Sequence, residues 1–289
     1  MRLNEKCVAC MLGKKLNAYP DGAASERVAE YRRRVRSAIE NGRALSSPEV
    51  NAEVGTIYRE LFGPERDYTG IKRRFNALML GLEPEMQADV DAASDPLARA
   101  VQYAMAGNFI DFAALGNVDE GELRLRLDGA ANMAVDGDML EALRSEALSA
   151  RRLAMFTDNC GEIVADKILL RTLRRLNPAL HVAVIVRGAP VVNDATLEDA
   201  VQVGMNEVAD AVIGSGCIMA GTVLNRLGEA AMAEAEAADL MIAKGQANYE
   251  GLSGCGRNVF YIFMCKCELF TRRFGVGLFG GVLTREDRI

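Results

Sequence analysis

Histidine is almost missing from this chain of 289 residues: His181 is the only one, and it opens an apolar run. A Ser-His-Asp or Cys-His apparatus therefore lacks its usual base, and proton transfer must fall to carboxylates, lysines or a metal-bound water. Long apolar runs are lacking too. No stretch approaches the roughly 18 consecutive residues that span a bilayer, and the opening MRLNEKCVACMLGKK is too short in its apolar part, and too charged at its flanks, for a secretory signal. Nor is there an excess of positive charge. The formal net charge of −6 argues against nucleic-acid binding, which rests on a basic surface. The short basic clusters at Arg32 to Arg34, Lys72 to Arg74, Arg151-Arg152 and Arg174-Arg175 sit in helical patterns and read as solvated helix faces. The seven cysteines show no regular framework spacing. In a chain long enough to build a core without disulfides they point to a reducing cytoplasm.

What is present divides into two halves. From Ser25 to about Leu148, apolar residues recur three or four apart, as in VAEYRRRVRSAIENG and PLARAVQYAMAGNFI, with breaker clusters at 19–22, 46–48 and 63–64. That spacing predicts amphipathic helices and a helical N-terminal domain over 1–150. From about Arg151, short β-rich runs alternate with helical stretches: LAMFT (153–157), HVAVIV (181–186), DAVIG (210–214), DLMIA (239–243) and NVFYIFM (258–264). The intervening GEIVADKILLRTLRRL and TVLNRLGEAAMAEAEA are helix candidates. Strand–helix alternation predicts an α/β/α sandwich with a mainly parallel sheet over 151–289.

Polar residues cluster just beyond these runs. LAMFT leads into Asp158-Asn159-Cys160-Gly161-Glu162, HVAVIVRG into Asn193-Asp194, DLMIA into Lys244-Gly245 and NVFYIFMC into Lys266. In an open parallel sheet the carboxyl ends of the strands are where ligands bind. Asp158, Asn159 and Asp194 offer hard oxygen ligands suited to magnesium or manganese and tolerable to cobalt or nickel. Lys244 and Lys266 offer positive charge to an anion such as phosphate, and free N–H groups at Gly161 are expected to meet a phosphate oxygen. The plainer reading is that Asp-Asn and Asn-Asp only cap the helices that follow. Two such acidic segments and two lysines converging on one edge shift the balance toward a site.

Other motifs fall away. Gly275 to Gly280 matches the dinucleotide glycine pattern, but only GVLTREDRI follows, too short for the helix, strand and acid that motif needs. Cys7 and Cys10, with Cys265 and Cys267 far downstream, lack zinc-finger spacing.

DNCGEIVADKILL, RGAPVVNDATLEDA, GSGCIMAGT and AKGQANYEGLSG, in this order, resemble the damage-control phosphatase family. DYTGIKRRFN and AMAGNFIDF resemble its helical N-terminal part, and the CxxC its prokaryotic, cysteine-bearing branch. The resemblance implies a metal-dependent phosphatase acting on small phosphorylated metabolites, with Asp158, Asn159 and Asp194 as metal ligands. It implies a phosphate-substrate loop from Lys244 through Gly245 to Asn248, and a second cationic contact at Lys266. Asn108 and Asp111 become substrate-facing, joined by Glu162 and Asn193 from the two acidic segments. A metal-ligating carboxylate is a poor nucleophile, which favours water as the attacking group. The alternatives are a carboxyl methyltransferase, for which no glycine-rich cofactor loop follows the first strand, and a non-catalytic metal- and phosphate-binding module. Neither the substrate nor the oligomeric state is legible.

Overall fold

A computed structural model of the chain describes residues 1–288. The first half is helical, as the spacing predicts: α1 Glu5–Lys15, α2 Ser25–Asn41, α3 Ser47–Phe62, α4 Thr69–Ala92, α5 Pro96–Gly107, α6 Phe112–Leu115, α7 Glu120–Asp128 and α8 Gly137–Ser149. Local chemistry sets several starts. Ser46 and Glu49 form a capping box ahead of α3, and Asp95 accepts from the Leu97 and Ala98 N–H groups at the head of α5. Pro48 and Pro96 stand in first turns, where a missing N–H costs nothing.

The second half is β1 Arg152–Phe156, α9 Glu162–Leu176, β2 His181–Val186, α10 Leu197–Gln202, β3 Ala211–Gly214, α11 Glu229–Ala237, β4 Leu240–Lys244, α12 Gly245–Leu252, β5 Val259–Met264, α13 Glu268–Phe274 and β6 Gly281–Arg285. All five expected runs are strands. The sixth, β6, lies in the tail that the sequence pattern left without structure. It follows a glycine-rich turn and pairs antiparallel to β5 at the sheet edge. The helix expected from Thr222 begins only at Glu229, because extended backbone at Gly228 separates it from a short turn at Leu224–Arg226.

Strand order is β3-β2-β1-β4-β5-β6, with the first five parallel. Alternating side chains serve the two faces, as a two-residue period requires. Leu153 and Met155 join the core with α4, α5 and α9, while Ala154 and Phe156 join the opposite core with α11, α12 and α13. Helices on both faces make an α/β/α sandwich.

The helical half meets this sandwich in two ways. Helices α4, α5, α7 and α8 share one continuous core with the sheet and α9. Helices α1 to α3 have a core of their own around Tyr31, Val35, Ile39 and Val50, and α3 lies against α12. From β1 the chain winds outward one way through β2 and β3 and the other way through β4 and β5. The crevice over the carboxyl ends of β1 and β4 is thus the topological switch point. The only histidine, His181, opens β2 at the opposite edge.

Candidate functional site

Beyond Phe156 the chain leaves the sheet through Thr157 into Asp158 and Asn159. Neither caps α9. The capping residue is Gly161, with φ of 69° and no side-chain cap. The expectation of free N–H groups at Gly161 is corrected by the same turn: the Gly161 N–H donates to Asn76 Oδ1 at 2.6 Å, and the Glu162 N–H to Cys160 O at 2.7 Å.

The loop after β2 brings Asp194 back so that it faces Asn159 across a single antiparallel bridge. Ala195 N–H to Asp158 O and Cys160 N–H to Asn193 O, both 2.8 Å, fix the two segments together. The turn is strained, because Val192 has φ of 45°, a left-handed conformation that β-branched residues avoid. Helix α10 is capped by Thr196 and Asp199, so Asn193 and Asp194 are not its caps.

Each of the two carboxylates is gripped through one oxygen. Asp158 Oδ2 accepts from Asn108 Nδ2 at 3.0 Å and Asn159 Nδ2 at 2.8 Å, and Asp194 Oδ2 accepts from Arg187 Nε at 2.6 Å. Among the described residues neither Oδ1 accepts a hydrogen bond. Asn159 Oδ1 accepts from Asn193 Nδ2 at 3.0 Å and keeps a lone pair. Gly245, at φ +81°, starts α12 so close by that a Cβ would lie 2.0 Å from Asp158 Oδ2. Only glycine fits there.

Behind this trio Glu162, wholly buried, accepts from Lys244 Nζ at 2.6 Å, from Asn159 Nδ2 at 2.9 Å and from Asn108 Nδ2 at 2.9 Å. Asn108 Oδ1 in turn accepts from the Met264 N–H, and Asn193 bonds Ile110 O and the Phe112 N–H. Asn248 Nδ2 donates to Thr157 O at 3.0 Å and to Lys244 O at 2.6 Å. Asp158, Asn159, Glu162, Asn108, Asn193, Asp194, Gly245 and Asn248 therefore meet in one set. Asp111 and Lys266 form a 2.7 Å ion pair at its border.

Lys244 is in the set but points inward, toward Glu162, Asp166 and Ala104. Its Nζ is fully buried, donates to Glu162 and to Ala104 O at 2.8 Å, and forms an ion pair with Asp166 Oδ1 at 2.9 Å. The geometry corrects the picture of Lys244 as an exposed phosphate contact. Two residues of the edge escaped the sequence reading. Asp166 lies one turn into α9, where nothing in the pattern marks it. Arg187 is the first residue after β2, and the strand-end rule that singled out Asp158 applies to it equally.

Burial, reinforced by the charges of Glu162 and Asp194, holds the Asp158 carboxyl well above the usual range. Burial lifts Asp194 to about 6 against the pull of Arg187, and Asp166 to about 7 against Lys244. For Lys244, burial works to lower the pKa, yet Asp166 and Glu162 together keep it above its ordinary value. At this edge five carboxylates (Asp111, Asp158, Glu162, Asp166, Asp194) share three cations (Arg187, Lys244, Lys266). A formal excess of two carboxylates and two open carboxylate oxygens fit a divalent cation, whose charge would offset the burial that raises these acids. Among the described residues no three His, Cys, Asp or Glu side chains form a metal-holding group, because this donor set is two carboxylates and an amide. The cysteines are free thiols.

Carboxylates and amides thus gather over the switch point of a doubly wound α/β sheet, the edge where ligands bind in such folds. The chain belongs to the damage-control phosphatase ARMT1-like domain family, whose sequence model matches residues 3–281. A damage-control phosphatase of Archaeoglobus fulgidus is 31% identical over 96% of this chain and 97% of its own length. A damage-control phosphatase of Pyrococcus horikoshii is 30% identical over 61% of each chain. The crystal structure of a DUF89 family protein from Pyrococcus horikoshii shares the fold, with a TM-score of 0.79 at 22% identity over 99% of both chains.

Two predictions follow from this geometry. Lys244→Met leaves Glu162 and Asp166 buried without their cation, so denaturant unfolding is expected to show a loss of about 3–5 kcal/mol. A loss below about 1 kcal/mol, the range of an exposed pair, would show that Lys244 carries no such load. The raised acids bind protons more tightly in the native chain than in the unfolded one. Their stabilising contribution is complete below the unfolded values near 4 and is lost as pH rises through about 6 for Asp194 and about 7 for Asp166. With chelator present, the melting temperature is therefore expected to fall between about pH 5 and about pH 7.5. A rise over that interval would contradict the assigned directions.

Proposed function

We propose that this chain is a divalent-metal-dependent phosphatase of small phosphate esters, such as sugar phosphates or damaged phosphometabolites. The observation that carries the reading is the pair of open Oδ1 atoms on Asp158 and Asp194, with Asn159 between them, beside a cluster in which carboxylates outnumber cations. Asp158, Asn159 and Asp194 are the residues that would hold manganese, cobalt, nickel or magnesium. When bound, the cation supplies Lewis-acid charge to a phosphoryl oxygen.

The chain's own residues supply the rest. Asn108 and Asn159 hold Asp158 through Oδ2, and Arg187 holds Asp194 through Oδ2, so both carboxylates present a fixed oxygen. Asp158 Oδ2 is taken by two amides and Oδ1 would be a ligand of the cation, an arrangement that would leave attack on phosphorus to water. Lys244 is a positioning residue that acts through Glu162. Lys266 and Asp111, whose charges reach Asp158, border the place where the substrate's remaining groups sit. The relatives named as damage-control phosphatases support the substrate class. No helix is long and apolar enough to cross a membrane, and free thiols suit a reducing cytoplasm.

The test is hydrolysis of a generic aryl phosphate, with chelator and with each metal added back, on wild type, Asp158→Ala and Asp194→Ala. Wild type is expected to be active only with metal. Each variant is expected to stay folded and to fall by at least about a hundredfold, as for loss of a transition-state contact. Full activity in either folded variant removes that residue from the site, and metal-independent wild-type activity removes the metal from the reaction.

A further inference from the structure

We propose that Arg187 grips the phosphoryl oxygens, the task that the sequence pattern gave to Lys244. This deepens the phosphatase reading and rests on it. Arg187 stands at the carboxyl end of β2, the strand beside β1, with its side chain 1% exposed. Three protein groups fix the guanidinium in place. Nε donates to Asp194 Oδ2 at 2.6 Å, and Nη1 donates to Thr222 Oγ1 at 3.2 Å and to Asn248 Oδ1 at 3.3 Å.

The remaining nitrogen, Nη2, is buried without a hydrogen-bond partner. It stands 3.6 Å from Asp158 Oδ1, the open oxygen of the site. A charged donor withheld from both water and protein is costly, and such an atom at a functional edge marks the place of a ligand. Among the other cations of this edge no buried nitrogen is left without a hydrogen bond: Lys244 bonds Glu162, Lys266 bonds Asp111 and Lys72 bonds Thr196.

A second observation points to the same spot. The eight-residue helix α12 begins at Gly245 against Asp158, and no side chain caps it. Asn248, in its first turn, is the residue that holds Arg187 Nη1. An anion beside Asp158 therefore meets a guanidinium and an uncapped helix start that are tied to one another. Helix starts and planar, permanently charged guanidinium forks both suit phosphoryl oxygens. The ligand class is a phosphate monoester dianion and the inorganic phosphate it releases.

The experiment is calorimetric titration of Mn2+, and then of inorganic phosphate in the presence of Mn2+, on wild type, Arg187→Lys and Thr222→Val. Arg187→Lys keeps a cation opposite Asp194 but loses the fork. With Mn2+ held at saturation it is expected to bind phosphate roughly tenfold to a hundredfold more weakly, as for one charge-assisted hydrogen bond, and to lose less in Mn2+ affinity than in phosphate affinity, because a cation still faces Asp194. Thr222→Val, which only loosens Nη1 and leaves the buried charge in place, is expected to weaken phosphate binding in the same direction by less. It decides the matter if Arg187→Lys does not fold. Unchanged phosphate affinity in the folded variants overturns the proposal, as does a loss of Mn2+ affinity that accounts for the loss of phosphate binding, since Arg187 would then only brace Asp194. A wild type that hydrolyses no aryl phosphate with any metal sinks the phosphatase reading itself. An active wild type with an unaffected Arg187→Lys sinks only this one.

Discussion

Glu162 sits entirely out of water and accepts hydrogen bonds from Lys244, Asn108 and Asn159 together. Those three partners come from the end of β4, the end of α5 and the turn after β1. One carboxylate thus ties the central strands of the sheet to the helical half of the chain. Removing a buried charge from its partners costs far more than the pair returns when intact, so this knot is better understood as fixing geometry than as adding stability. Its product is the orientation of Asp158, whose Oδ2 is held by the same two amides that Glu162 holds.

The loop carrying Asp194 shows the same order of priorities. A β-branched residue at φ of 45° and an arginine buried between two carboxylates are each unfavourable taken singly. They persist because the backbone bridge between Asn159 and Asp194 and the packing of α10 against α4 leave the loop no alternative. Local cost is exchanged for a preset pair of oxygens, the arrangement expected where a site must be ready before its ligand arrives.

Much of this was legible in the sequence. Short β-rich runs alternating with helical stretches marked β1 to β5, and the rule that ligands gather at carboxyl ends marked Asp158, Asn159, Asp194 and Lys244. What the sequence concealed is which way a side chain turns. Lys244 follows its strand as an exposed lysine would, and only the buried Glu162 and Asp166 of a helix far upstream draw it inward. Arg187 stands where the same strand-end rule points, but its burial depends on Thr222 and Asn248, which are distant in the chain and fold over it. Strand β6 was hidden by its composition, since GVLTR sets only Val282 and Leu283 as buried apolar residues beside a glycine-rich turn.

The central claim is that the excess of carboxylates at the sheet edge marks a cation site built from Asp158, Asn159 and Asp194. Anomalous diffraction at the manganese edge, from crystals soaked in Mn2+, tests it directly. The predicted result is one strong peak within coordination distance of Asp158 Oδ1, Asn159 Oδ1 and Asp194 Oδ1. A map with no peak there, or with the metal at Cys7 and Cys10 instead, would contradict it.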